Sequence, residues 1–470
     1  MGNYKKLEKN ILLLTLGNFA SKILSFLLVP LYTSVLTTKE YGIADLLTTS
    51  INLILPIFSL LVYEAVMRFA LDKESDKKQI FSVGLYTTVM GSVIVLIGSQ
   101  FFRLSPDLKP YIWLFVLYYI SLALYNLVTQ FIKGIEKVFI YSVSGVINTL
   151  VFILCNILFL VVFKTGVEGY LLSFTIGHFI ATVYAFFSCC VKKYMVPWKK
   201  TEKEYYQQMF KYALPMIPNA ISWWISNSSN KYILTLFWGA NVNGIFSVAF
   251  KIPSILTIVV NIFISAWQIS AVEKFGSEES KKFYADIYNK YESILYIGCS
   301  CLIGAITILA KFLFANEFYQ AWIYTPVLTC ASSFNSLAAF YGSVYTSAKK
   351  TKILFFSTFL GAGANIVLNF LLIPKFGAMG AALSTLLSYI IIWFVRVIDS
   401  KKILRFKINV GRNIAVYIVL AAEIVLICTE NNPYYIVSII SVIIVCVLCR
   451  DVLIDVVKTI FEKLKISKNQ

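Results

Sequence analysis

Long apolar runs alternate along this chain with short charged or turn-forming breaks. About fourteen runs reach membrane-crossing length, which takes roughly 20 residues at about 1.5 Å rise to cover about 30 Å of hydrocarbon. They lie near residues 11–35, 41–70, 80–102, 111–132, 138–163, 167–191, 212–238, 243–270, 288–314, 320–347, 352–374, 377–398, 410–429 and 433–455. Transmembrane β-barrel strands alternate apolar and polar residues instead, and no segment here follows that pattern. The expected fold class is therefore all-α, a polytopic membrane protein of about fourteen transmembrane helices.

Local signals mark where helices begin. Thr37-Thr38-Lys39-Glu40 precedes the second run and Thr201-Glu202-Lys203-Glu204 the seventh, and both have the Ser/Thr-x-x-Glu form of a capping box. Prolines inside runs, at Pro30, Pro56, Pro215, Pro218, Pro253 and Pro326, predict kinks. The longest break, residues 192–211, is Lys-rich and contains Pro197-Trp198. Its second half predicts a short interfacial helix with Tyr and Met on one side, and its central position suits a hinge between two halves.

Internal echoes point the same way. Lys164-Thr165-Gly166-Val167-Glu168-Gly169 and Lys375-Phe376-Gly377-Ala378-Met379-Gly380 are both Lys-x-Gly-x-x-Gly between apolar runs, 211 residues apart. Tyr41-Gly42-Ile43 and Asn243-Gly244-Ile245 form a second pair, 202 residues apart. The expectation is a parallel duplication: a six-helix lobe in 1–191, a cytoplasmic linker in 192–211, a second lobe in 212–400, and two added helices in 401–470. Parallel repeats facing a central cavity are a transporter arrangement.

Composition excludes the soluble alternatives. The chain is 59% hydrophobic and 14% charged, where soluble domains carry about 25% charged residues. With alternating spans from a cytoplasmic start, roughly 33 of the 42 Lys and Arg fall in inner loops and tails. This asymmetry orients the chain with both termini cytoplasmic. The net charge of +18 is thus explained by orientation and by anionic membrane lipids, with no nucleic acid implied. Nine cysteines lie mostly in apolar runs without metal-ligand spacing, so neither disulfides nor a metal is expected. Lys22 interrupts the first apolar run, which reads as an uncleaved helix.

The same tally singles out three lysines inside hydrophobic runs: Lys22, Lys231 and Lys251. Lys22 lies roughly 17 Å into its helix, where a lysine costs about 3 kcal/mol unless it meets a cavity or a partner such as Asp45 or Glu64. Lys231 and Lys251 lie nearer the outer ends, where either a polar cavity or snorkelling satisfies them. Asn227, Ser228, Ser229 and Asn230 precede Lys231 and favour a bundle interior over lipid. Together these residues suit an anionic substrate group. Glu64 and Arg68, four apart, form either a self-satisfied ion pair or an inner gate, with Asp45 as a further candidate. Asp45, Glu423 and His178, the only histidine, are the candidates for proton or coupling-ion binding, although each also fits a packed, hydrogen-bonded role. No Walker A, His-x-x-x-His or Ser/His/Asp set is present and outer loops are short, which disfavours an enzyme and requires no cofactor.

The stretch Gly17-Asn18-Phe19 through Ser25-Phe26-Leu27-Leu28-Val29-Pro30-Leu31-Tyr32, with Leu36-Thr37 and Glu40-Tyr41-Gly42, resembles the opening of the polysaccharide flippases. These belong to the multidrug/oligosaccharidyl-lipid/polysaccharide exporter superfamily. Arg68-Phe69 and Phe376-Gly377-Ala378-Met379-Gly380-Ala381-Ala382 resemble it too. The resemblance implies two six-helix bundles in a V shape, a cationic central cavity and alternating access. It implies a bacterial inner-membrane flippase carrying undecaprenyl-pyrophosphate-linked oligosaccharides for surface polysaccharide such as capsule or O-antigen, with a polysaccharide polymerase as partner. Related lipid II flippases imply a lipid-tail groove at the last two helices. Those relatives place arginines in their first helices, where this chain has Lys22 and no arginine before Arg68. The rivals are a multidrug antiporter of the same fold, which favours acidic cavity residues, and a polytopic glycosyltransferase or polymerase.

Overall fold

The structure, a computed structural model, describes residues 26–104, 106–276, 279–348, 350, 352–429 and 434–455. These are almost entirely helical, with no strand among them. Lipid offers backbone amides no partner, so the apolar runs satisfy their hydrogen bonds internally as helices. In chain order they are α1 (Val29–Val35), α2 (Thr38–Phe58), α3 (Val62–Ala70), α4 (Lys77–Gly98), α5 (Ile112–Gly134), α6 (Val138–Asn156), α7 (Gly166–Ser188) and α8 (Lys203–Ala213). Next come α9 (Ile217–Ala249), α10 (Lys251–Lys274), α11 (Ser280–Gly304), α12 (Ile306–Leu313), α13 (Thr325–Ser347), α14 (Lys352–Ser400), α15 (Val410–Cys428) and α16 (Tyr434–Leu448).

Nine helices among the described residues are long and apolar enough to cross a membrane, or ten if α11 and α12, bent by 62°, make one span. The chain is a multi-pass membrane protein, but the expected count of fourteen is not reached by this measure. The reasons are visible in the helices. The first expected run lies largely outside the described residues, α13 carries eight Ser and Thr, and α16 has only 15 residues. Two further helices are each two helices joined through a glycine, α9 at Gly239 (φ 83°) and α14 at Gly377 (φ 55°).

The repeated glycine motifs have matching geometry. Gly166 (φ 58°) and Gly377 (φ 55°) both take the left-handed backbone that favours glycine. The second glycine of each motif lies tight against the preceding helix. A Cβ on Gly169 would stand 2.7 Å from Phe159 Cβ, and one on Gly380 would stand 2.4 Å from the Leu372 carbonyl oxygen. At α2 the Thr37–Glu40 capping box forms as expected, with Glu40 Oε2 accepting from the Thr37 amide at 2.8 Å. At α8 it does not: the helix starts at Lys203, and the Thr201 hydroxyl donates to the Trp198 carbonyl at 2.6 Å. A break the sequence did not mark separates α2 from α3, where Leu60 (φ 52°) and Leu61 (φ 50°) are both left-handed. Such backbone costs a non-glycine residue on the order of 1–2 kcal/mol.

The chain divides into two compact units. The first comprises residues up to Ser228 with Trp238–Gly244, the second Ser229–Phe237 with residues from Ile245 onward. The first has an apolar core of α3, α4 and α5, including Val62, Val66, Phe81, Leu127 and Phe131. Met209 and Ala213 of α8 are buried in it, so the amphipathic helix expected in the connection packs on this core through its apolar side. The second unit has an aromatic core in which Trp267 stacks on Phe340 at 4.9 Å and donates to Ser343 Oγ at 2.7 Å. Tyr288 and Tyr291 flank the same Phe340 ring.

Candidate functional site

Lys22 lies outside the described residues. The other sequence candidates are placed, and they divide between the units. In the first, Asp45 is half-buried one turn beyond Tyr41 on α2. Nearby, Tyr170 lies edge-on to Tyr32 at 5.2 Å and to Tyr41 at 6.3 Å. His178 continues this aromatic column, stacked on Tyr118 at 5.7 Å with rings 10° apart. It is buried among rings, with Tyr118 and Tyr125 as aromatic neighbours, which is the packed role.

The expected Glu64–Arg68 pair does not form. Arg68 is exposed, while half-buried Glu64 has Lys133 of α5 as its neighbouring charge. Lys133 Nζ in turn lies 5.8 Å from the centre of the Tyr141 ring. Glu64 thus has a cation from another helix as its neighbouring charge, and periodicity alone carries no information about that. Asn227, also in this unit, is exposed and donates to its own helix at the Trp223 carbonyl, 2.6 Å away.

The second unit gathers a polar core on α9 and the two halves of α14. Asn365 is its centre: Oδ1 accepts from Ser229 Oγ at 2.8 Å and Asn369 Nδ2 at 2.9 Å. Its Nδ2 donates to Ser388 Oγ at 3.2 Å. Asn230 Nδ2 donates to Thr385 Oγ1 at 3.0 Å. All these side chains are buried, and the amide oxygens of Asn230 and Asn369 receive no hydrogen bond. The sequence placed Asn230 among substrate contacts; here it lies inside the unit, joined to α14. Within the polar stretch Ser229 and Asn230 are buried, where they find partners that lipid does not offer, while Asn227 is exposed. Lys231 follows on the same helix, half-buried, and Lys251 is the half-buried first residue of α10, after the helix break at Phe250.

A second buried network escaped the sequence reading. Arg412 of α15 donates to Glu292 Oε2 of α11 at 2.8 Å and to Ser293 Oγ at 2.9 Å. Glu292 Oε1 accepts from Asn413 at 2.7 Å and from the Tyr296 hydroxyl at 2.9 Å. Further along α15, Glu423 Oε2 accepts from Ser300 Oγ at 2.9 Å while its Oε1 receives no hydrogen bond. The overlooked signal was Glu292 itself, a carboxylate within an apolar run. Arg396 is likewise buried, donating to the Ala338 carbonyl at 2.9 Å, Ser357 Oγ at 3.0 Å and Thr358 Oγ1 at 3.1 Å. Among the described residues, no group of three or more His, Cys, Asp or Glu could hold a metal ion.

Kinked and broken helices in two units, one of them with a buried polar core, are features of membrane transporters, and comparison with known proteins gives the chain its family. Residues 7–268 match the model of the polysaccharide biosynthesis protein family, more than half the chain, and the protein belongs to that family. An uncharacterized membrane protein of Methanocaldococcus jannaschii is 21% identical over 413 residues, covering 83% of this chain and 96% of its own. Among solved structures, the lipid II flippase MurJ in an inward closed conformation matches with a TM-score of 0.72 at 14% identity, over 94% of this chain and 98% of that one. A transporter of the same exporter superfamily from Pyrococcus furiosus gives 0.60 at 13% identity, over 84% and 95%. An inward-facing multidrug resistance transporter of that superfamily gives 0.60 at 12%, over 81% and 98%. The fold is shared with a lipid II flippase and with a multidrug resistance transporter.

Proposed function

We propose that the protein is a flippase that moves undecaprenyl-pyrophosphate-linked oligosaccharide units from the inner to the outer leaflet by alternating access, for surface polysaccharide biosynthesis. One observation carries the choice of cargo: three ammonium groups, Lys22, Lys231 and Lys251, stand inside apolar runs of the sequence, whereas the buried carboxylates Glu292 and Glu423 are engaged by Arg412 and Ser300. A pyrophosphate needs cations there, whereas a cationic drug needs carboxylates. Asn227 and the tyrosines supply donors and acceptors for sugar hydroxyls. Asn230 completes the proposed set, with Glu64, Arg68 and Asp45 at an inner gate where Lys133 is a further cation.

The lipid tail stays in the bilayer, so only the headgroup needs a polar path. The proposal includes a cytoplasmic-membrane location with both termini cytoplasmic, which the lysine distribution supports, and a polymerase receiving the product on the far face. Deleting the gene is expected to leave lipid-linked oligosaccharide at the inner leaflet. Restoring Lys22→Ala at normal membrane levels should not clear it, while Lys22→Arg should. Normal export with Lys22, Lys231 and Lys251 all replaced by alanine overturns the proposal.

A further inference from the structure

The first unit contains a cavity of 430 Å³ that the proposed transport does not use, lined among others by Phe58, Tyr86, Met90, Ile94, Trp198 and Phe210. That volume falls within the roughly 300–1,000 Å³ of small-ligand sites. Its walls come from the end of α2, α4, the connection and α8, and hydrogen bonds tie the connection to α4. Along one face of α4, Gln79 Nε2 donates to the Lys200 carbonyl at 3.0 Å and Gln79 Oε1 accepts from the Glu202 amide at 3.1 Å. Ser82 Oγ accepts from the Val196 amide at 2.8 Å, and the Tyr86 hydroxyl donates to the Val196 carbonyl at 2.7 Å. These ties strap residues 196–202 to α4 and set the Trp198 ring 4.9 Å from that of Tyr86.

The ties also leave the cavity little polar demand beyond the hydroxyl of Tyr206, a lining group that meets no hydrogen-bond partner among the described residues. The Tyr86 hydroxyl is spent on the strap and Thr87 Oγ1 on its own helix, at the Val83 carbonyl. The lining is otherwise carbon. Met90 and Ile94, 60% and 44% exposed, form its open side on a membrane-crossing helix, so that side faces lipid. From Tyr86 to Ile94 it runs about 12 Å along α4.

The other end lies at the lysine-rich connection. Trp198 is exposed, as are Lys199 and Lys200 after it. Residues 192–204 hold Lys192, Lys193, Lys199, Lys200 and Lys203 against Glu202 and Glu204. Indole at the interface and lysines beyond it suit a lipid with an anionic headgroup.

We propose that this cavity is a binding site for an anionic phospholipid, one acyl chain lying along α4 from Trp198 toward Ile94 and the phosphate over Lys199 and Lys200. The site rests on the membrane-spanning reading and not on the nature of the cargo. Bound lipid would reinforce the strap that ties the connection to the first unit.

The test is native mass spectrometry of the full-length protein released from nanodiscs of equal phosphatidylglycerol and phosphatidylcholine, with no transport assay involved. Wild type is expected to retain phosphatidylglycerol preferentially. Lys199→Gln and Lys200→Gln should each reduce that preference about fivefold, the effect of one basic residue near a membrane surface. Met90→Trp and Ile94→Trp, at lipid-exposed positions that tolerate size, should close the open side and lower retained lipid severalfold at unchanged thermal stability. Retention and preference unaltered in all four variants would overturn the proposal. So would displacement of phosphatidylglycerol from wild type by undecaprenyl phosphate at equal concentration, which assigns the cavity to the carrier's isoprenoid chain.

Discussion

Gly42 and Gly244 pack backbone against backbone, and neither position leaves room for a side chain. A Cβ on Gly42 would lie 2.0 Å from the Ala240 carbonyl oxygen and 3.1 Å from the Gly244 nitrogen. One on Gly244 would lie 2.0 Å from the Thr38 carbonyl oxygen and 3.1 Å from the Gly42 nitrogen. Asn243 Nδ2 adds a hydrogen bond to the Gly42 carbonyl at 3.2 Å. The partners Thr38 and Ala240 stand at the same 202-residue spacing as the two glycines, so the contact is reciprocal in sequence as well as in space.

Gly42→Ala is therefore expected to destabilise the protein by about 1–3 kcal/mol, the usual cost of overpacking. Gly244→Ala should behave alike. The double variant should lose less than the sum, because one backbone displacement relieves both clashes. Thermal unfolding in detergent, followed by loss of the monodisperse peak, measures this. Strictly additive losses would mean the two contacts are independent.

Gln79→Ala should loosen the connection without unfolding the core. It removes two hydrogen bonds, at about 1 kcal/mol each. Trypsin cleavage at exposed Lys199 and Lys200 should then rise at least tenfold with the melting temperature nearly constant. Cleavage at the wild-type rate would show that the strap is held by other contacts.

Breaking the buried ion pair should be costly. Glu292→Met leaves Arg412 without its carboxylate and is expected to cost about 3–5 kcal/mol. Glu292→Met combined with Arg412→Met removes both charges and should recover much of that loss. A double variant less stable than either single one would contradict this account.

Arg396→Lys should destabilise despite keeping the charge. The guanidinium reaches Ala338, Ser357 and Thr358 together through a planar fork, and an ammonium on a flexible stem does not reproduce it. A melting temperature equal to wild type would show that charge alone matters at this position.

Much of the helical layout was legible because hydrocarbon imposes one rule on every residue. Apolar runs become helices, and Thr37 with Glu40 capped α2 as read. Asn230 was legible as bundle-facing, but its partner Thr385 was not. Glu64 illustrates the limit: the residue four along was the visible partner, and Lys133 from another helix took the place. Leu60 and Leu61 gave no hint of left-handed backbone, since only the surrounding packing holds leucine there.

By itself the sequence determined that this is a helical membrane protein, because composition and run length are local or additive properties. Only the tertiary structure decided which polar groups meet. The Glu292–Arg412 pair, the Asn365 core and the Gln79 strap join residues distant in sequence. Which of the many available donors and acceptors pair is settled by how helices pack, and periodicity within one helix does not encode that.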